Sequence, residues 1–261
     1  MKVILTGVTG FIGSEVLTQC CKNPAITSII ALSRRPLSTD ITKDPRVEII
    51  VMKDFTTYSK EVIEQFEGAD ACIWYVSAFL ALNGKHLTVI RSMGTKEGWR
   101  DIDIDYPLAF CHAMAPIVAK QKKAFRYIHL SGRLAEQDQS RCLLFLSEGR
   151  RIKGKAELEI LDFENNEEKL HGGYWQSYIA KPSMVLKKQK KGEKCELRWL
   201  SVLIGSVDVD ELAAAMIDIG RYGSEEPVLN NAEVVMRGRA TLDADLECYD
   251  PGYVKSSLSL W

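Results

Sequence analysis

Residues 2–13 read Lys2-Val3-Ile4-Leu5-Thr6-Gly7-Val8-Thr9-Gly10-Phe11-Ile12-Gly13. Val3, Ile4, Leu5 and Thr6 favour a buried strand, and they run straight into Gly7-x-x-Gly10-x-x-Gly13, where an amphipathic run begins at Phe11 and Ile12. The spacing predicts strand, tight turn and helix in immediate succession. Gly7 lets the chain leave the strand sharply, Gly10 admits a pyrophosphate close to the backbone, and Gly13 lets the helix lie near its strand. The N–H groups that open a helix lack intrahelical acceptors and carry the positive end of its dipole, so they attract phosphate. Gly7, Thr9, Gly10, Phe11, Ile12 and Gly13 are therefore candidate dinucleotide contacts.

Beyond the turn, Val16, Leu17, Cys20 and Cys21 recur at helical spacing until Asn23-Pro24 closes the helix. Residues 28–32 are nearly all apolar, as a parallel strand covered on both faces should be. They end in Ser33-Arg34-Arg35-Pro36. At this position an acid accepts from the ribose 2′-hydroxyl of NAD, whereas arginine accommodates a 2′-phosphate. The acid is absent and two arginines follow, so the expected cofactor is NADP(H), with Arg34 and Arg35 as its phosphate contacts.

Residues 47–52 predict a third strand leading to Asp54 and Phe55, residues 59–67 a helix, and residues 71–77 a fourth strand. The alternation of strands and helices makes an α/β fold with a doubly wound parallel sheet of the Rossmann type the economical solution. Ligands bind such sheets at the carboxyl ends of the strands, which places Asp54, Phe55, Tyr75, Val76 and Ser77 beside the glycine turn. The expectation is one domain over residues 1–261, with residues 184–261 contributing a small substrate-side lobe. Residues 80–100 show poor periodicity and are expected to form a connection.

Asp101, Asp103 and Asp105 alternate with isoleucines, but a calcium loop needs glycine and glutamate where Tyr106 and His112 stand, and no metal site is expected. A strand-like approach capped by Asp105, before a helix over residues 106–121 kinked at Pro116, is the reading instead. Residues 125–132 form a fifth strand that delivers Ser131 to the cofactor edge, with His129 packed inside it. A helix over residues 147–162 carries Lys153, Gly154 and Glu157; residues 174–180 predict a further strand ending in Lys181-Pro182. Asp208 to Glu211 reads as the capped start of a helix.

The formal net charge is −1 and the pI near 6.5, so the overall balance gives no reason to expect nucleic acid or an anionic membrane as partner. No apolar run is long enough to span a bilayer, the strand at residue 2 leaves no room for a secretory leader, and a cytoplasmic location is expected. Seven cysteines without a C-x-x-C pair argue against a disulfide framework or a zinc site.

The glycine turn, Arg34-Arg35, Asp54, Asp105-Tyr106, His129-Leu130-Ser131, Lys153-Gly154-x-x-Glu157, Lys181-Pro182 and the run 207–213 together resemble the short-chain dehydrogenase/reductase superfamily. The likeness is to its atypical branch, most closely the Tat-interacting-protein-like group, over roughly residues 1–220. The resemblance implies a serine that polarises the substrate oxygen, here Ser131, and a lysine that binds the nicotinamide ribose, here Lys153. It also implies a tyrosine four places before that lysine, and Gly149 stands there. The family's arginine-proline step is Lys181-Pro182. Tyr75, Tyr106 and Tyr178 are the alternative proton donors.

Three functions follow from this pattern. One is an NADP(H)-dependent oxidoreductase acting on a small organic substrate, including secondary metabolites, through an altered proton relay. The second is a non-redox isomerase, dehydratase or cyclase on the same fold. The third is a non-catalytic NADP(H)-sensing interaction protein. Nothing in the sequence fixes the oligomeric state.

Overall fold

The computed structural model of the protein describes residues 1–37, 43–75, 79–83, 86–90, 100–187 and 205–249. In chain order its elements are β1 (Lys2–Thr6), α1 (Phe11–Lys22), β2 (Ser28–Ser33), β3 (Val47–Val51), α2 (Lys60–Phe66), β4 (Ala71–Trp74), β5 (Phe79–Asn83) and β6 (His86–Ile90). A π-helical turn (Asp101–Asp105) then leads into α3 (Tyr106–Gln121), β7 (Phe125–Leu130), α4 (Ser147–His171), β8 (Trp175–Lys181), β9 (Met184–Leu186) and β10 (Ser206–Asp208). The helix α5 (Val209–Tyr222), β11 (Val228–Asn230) and α6 (Asn231–Tyr249) follow.

Seven strands form one parallel sheet in the order β11-β8-β7-β4-β1-β2-β3. The chain moves outward from β1 to β2 and β3, then crosses back to place β4 on the other side of β1. That reversal opens a crevice at the carboxyl ends of β1 and β4, where the glycine turn emerges. Val3, Ile4 and Leu5 are fully buried because both faces of the sheet are covered. Burying each such aliphatic side chain contributes about 1.5–3 kcal/mol.

On one face the apolar stripe of α1 (Val16, Leu17, Cys20) and that of α5 (Leu212, Ala213, Met216) pack against Val3, Leu5 and Ile128. On the other, α2, α3 and α4 supply Phe66, Phe110 and Ile160 around Trp74 and Tyr127. There the rings of Trp74 and Phe110 lie 5.4 Å apart, and those of Phe110 and Tyr127 stack at 5.9 Å. Such pairs add about 0.5–1.5 kcal/mol beyond their buried area.

A second, four-stranded sheet has the order β10-β9-β5-β6. Its β5 and β6 pair antiparallel, which corrects the expectation of a connection at residues 80–83 and 86–90; residues 84–85 and 91–99 lie outside the described residues. Ladder pairing to β9 at Ala81↔Val185 supplies what local periodicity does not show. Residues beyond 184 serve both sheets: β9 and β10 belong to the small one, whereas β11 closes the edge of the large one. At the start of α5, Glu211 accepts from the Asp208 N–H at 3.3 Å, as the capped reading of that segment anticipates.

The approach to α3 also differs from expectation. Asp105 has helical dihedrals (φ −69°, ψ −40°) and makes no side-chain cap; Asp101–Asp105 continues the helix as a π-turn instead of a strand. Helix α3 runs through Pro116, and α4 extends to His171, well past the expected end at residue 162. Cys20, Cys72 and Cys111 are buried free thiols, with burial pushing the pKa of Cys20 and Cys72 up.

Candidate active site

The turn after β1 has the geometry the motif requires. Gly7 adopts φ +64°, and the Gly10 N–H donates to its carbonyl at 2.8 Å. A Cβ on Gly13 would lie 2.1 Å from Cε2 of Tyr75 and 2.3 Å from the Gly7 carbonyl oxygen, so any side chain there would displace the turn. Helix α1 starts at Gly10 with no side-chain cap and no acid in its first turn. Its first intrahelical bond runs from the Ser14 N–H to the Gly10 carbonyl, so the N–H groups of Phe11, Ile12 and Gly13 precede the ladder. Thr9, Gly10 and Phe11 are exposed, whereas the side chain of Ile12 packs into the core. An exposed, uncapped, acid-free helix start at the sheet's switch point fits the phosphates of a dinucleotide.

Arg34 and Arg35 are exposed just beyond β2, at a corner held by the Ser33 hydroxyl, which donates to the Arg35 carbonyl at 2.8 Å. Phe55 is buried against Trp74 and Tyr106, with ring centroids 6.2 and 5.8 Å away. Asp54 turns into its own loop. It accepts from the Thr56 N–H at 2.8 Å and the Thr56 hydroxyl at 2.7 Å, and these bonds hold its carboxyl below the usual value. Val76 and Ser77 lie outside the described residues.

The other half of the site grows from the carboxyl ends of β7 and β8. The Ser131 N–H donates to the Ala180 carbonyl at 2.9 Å, which sets Ser131 beside Lys181. The Ser131 hydroxyl donates to Oε1 of Glu157. The other carboxylate oxygen, Oε2, accepts from Nζ of Lys181 at 2.7 Å and Nε2 of Gln137 at 2.9 Å. Glu157 is fully buried, so all of its lone pairs must be satisfied by protein.

One turn earlier on the same face of α4, Lys153 Nζ lies 3.3 Å from Oδ1 of Asp103 in the π-turn. His129 is buried with Nδ1 unpartnered among the described residues, and its pKa falls to about 3, first through burial and then through the Lys153 charge. It is a packed, neutral strand histidine.

Gly149 stands in the first turn of α4, half-buried. Of the alternative donors, Tyr75 is wedged beneath the glycine turn with its hydroxyl buried and unpartnered among the described residues, and desolvation raises its pKa well above normal. Tyr178 Oη lies against Gly223, at the end of α5 that borders the amino ends of the strands, away from the turn. Tyr106 stacks on Phe55. None of these contacts involves Ser131 or Lys153.

The sequence offers Ser131 and Lys153 as site candidates but does not single out Asp103 or Gln137, which contact Lys153 and Glu157. Asp103 reads as part of an alternating run, and its place in a π-turn depends on tertiary packing. Gln137 carries no local signal, whereas Lys181 and Glu157 stand in the Lys181-Pro182 and Lys153-Gly154-x-x-Glu157 segments singled out above.

No family model matches the chain. Over 131 residues it is 29% identical to the leucinostatins biosynthesis cluster protein T of Purpureocillium lilacinum; the match spans half of this chain and 42% of that protein's length. Its structure is similar to Gre2 of Candida albicans in complex with NADPH (TM-score 0.60, 17% identity, 88% of this chain and 78% of that one). It also resembles the yeast methylglyoxal/isovaleraldehyde reductase Gre2 complexed with NADPH (TM-score 0.61, 14% identity, again 88% and 78%). UDP-glucuronic acid 4-epimerase from Bacillus cereus, in complex with NAD, superposes with a TM-score of 0.57 at 13% identity over 88% of this chain and 78% of that chain. At these identities the likeness is one of fold.

Proposed function

We propose that the protein is an NADP(H)-binding enzyme of the short-chain dehydrogenase/reductase type, in its atypical branch, that oxidises or reduces a small organic substrate in the cytoplasm. The observation that carries this reading is the exposed, uncapped and acid-free start of α1 at the switch point, backed by Arg34 and Arg35 beyond β2. The NADPH held by the two Gre2 proteins supports it, and the biosynthesis-cluster name of the fungal relative is in keeping with a secondary-metabolite substrate.

A bound nicotinamide supplies hydride exchange with a substrate carbon, so the matching proton has to come from the chain. The phenol that does this in the family is replaced at Gly149. Ser131 and Glu157 form the proton path in its place. In the oxidative direction the substrate hydroxyl gives its proton to Oγ of Ser131 as Ser131 passes its own to Oε1 of Glu157; reduction reverses both transfers. Lys181 and Gln137 fix Oε2 and leave Oε1 to the serine. Lys153, held by Asp103, is the residue for the nicotinamide ribose. Purified protein with NADPH and a panel of carbonyl and enone compounds should show loss of nicotinamide absorbance; Glu157→Gln should lower that rate. Tight NADPH binding without turnover on any such compound would remove the redox reading.

A non-redox isomerase, dehydratase or cyclase is favoured by a different observation. Gly149 leaves the position of the usual proton donor without a phenol. That reading predicts product formation without net change in NADP(H).

A further inference from the structure

Tyr75 is the first residue beyond β4, and its ring makes contacts that a proton donor would not need. It is 7% exposed and belongs to the core cluster that includes Val8, Ile12 and Val16. A Cβ built on Gly7 would lie 2.9 Å from Cδ2 and 3.1 Å from Cε2 of the ring, and one built on Gly13 would lie 2.1 Å from the same Cε2. One edge of a single aromatic ring therefore occupies the space left bare at both ends of the turn. The missing side chains at Gly7 and Gly13 serve that ring as well as a ligand's approach.

The height of the ring is fixed from β1. The Tyr75 N–H donates to Oγ1 of fully buried Thr6 at 3.2 Å, beyond the β1–β4 pairing that ends at Leu5↔Ile73. Thr6 is also the residue from which the chain enters the turn, so ring and turn share one origin. Above the ring, the turn is closed on itself by the Gly10 N–H bond to the Gly7 carbonyl. The phenol oxygen adds nothing to this arrangement, because Oη is buried with no hydrogen-bond partner among the described residues. An enclosed, unpaired hydroxyl costs stability, which leaves the flat ring as the useful part of the side chain.

We infer that Tyr75 is a positioning residue for the dinucleotide: its ring is a strut that sets the height of the turn from Gly7 to Gly13 and so aims the N–H groups of Phe11, Ile12 and Gly13 at the phosphates. The inference rests on the proposed NADP(H) site. Protein interiors are close-packed, so the turn settles into any space that the ring vacates. Hydrogen bonds weaken steeply with angle and distance, and a shifted helix start then meets the phosphates poorly.

Calorimetric titration of the full chain with NADPH tests this. Tyr75→Phe should bind within about twofold of the parent and melt no lower, since only the unpaired hydroxyl is gone. Tyr75→Ala should weaken binding about tenfold or more, and Tyr75→Leu, which keeps apolar volume for the fold, about threefold or more. Met114→Ala, in the core on the other face of the sheet, is the control for lost packing. It should lower the melting temperature and leave the dissociation constant unchanged. Undiminished affinity in both Tyr75→Ala and Tyr75→Leu, an equal loss in Tyr75→Phe, or an equal loss in Met114→Ala would each overturn the inference while leaving the cofactor reading intact. No binding by the parent protein would remove the NADP(H) reading and the inference with it.

Discussion

A carboxylate without solvent has to be answered by its neighbours, and at Glu157 the answer is Ser131, Gln137 and Lys181 together. Glu157→Gln removes the counter-charge of a Lys181 side chain that is only 18% exposed. The expected cost is about 3 kcal/mol, read as a lowered urea midpoint. Adding Lys181→Met should restore part of it, because the unpaired ammonium is then gone. His129 supplies a pH signature. Its folded pKa is depressed to about 3 from 6.5, so below pH 6.5 the unfolded chain binds a proton that the folded one refuses. Stability from this group is therefore complete above pH 6.5 and declines, by about 1.4 kcal/mol per pH unit, as pH falls toward 3. Unfolding curves of the parent and His129→Phe across that range should diverge with this slope; parallel curves would refute it.

Among the elements, α1 shows how one helix end can be tuned for a ligand at the expense of its own stability. With no cap and no acid in its first turn, the positive end of its dipole stays unanswered. Thr9→Asp should stabilise the protein without cofactor by about 0.5 kcal/mol and weaken NADPH binding, since the same charge repels a pyrophosphate. Melting curves with and without NADPH measure both signs. The start of α3 makes the complementary point. The π-turn turns Asp103 inward to Lys153, a placement that no spacing of aspartates and isoleucines specifies, because it depends on α4 lying across from it.

For the whole molecule, the proposed cofactor is a test of the fold as a unit. A ligand that binds only the folded state at a hundredfold above its dissociation constant adds about 2.7 kcal/mol. For a chain of this size that is a rise of roughly 5–10 °C in melting temperature. NADPH should give a larger rise than NADH at equal concentration, and Arg34→Ala/Arg35→Ala should erase the difference. Equal shifts for the two cofactors in the parent protein would remove the assignment of Arg34 and Arg35 to the 2′-phosphate.

Six of the seven strands of the parallel sheet, the helices from α1 to α5 and the glycine turn were legible in the chain because each depends on short-range pattern; β11 (Val228–Asn230) and α6 (Asn231–Tyr249) were not. Buried strands need continuous apolar runs such as residues 3–5, helices need their 3.6-residue stripe, and Gly7 with Gly13 records a positive φ and a close approach at fixed spacing. Ser131 and Lys153 were candidates through the family resemblance, not through pattern alone. Asp103 and Gln137, which contact Lys153 and Glu157, were not. Asp103, Gln137 and Lys181 come from three separate segments, and the β5–β6 pair finds its sheet only through β9, a hundred residues on. Local sequence encodes backbone geometry; which carboxylate meets which lysine, and whether an apolar loop is buried or left in water, is decided by long-range packing alone.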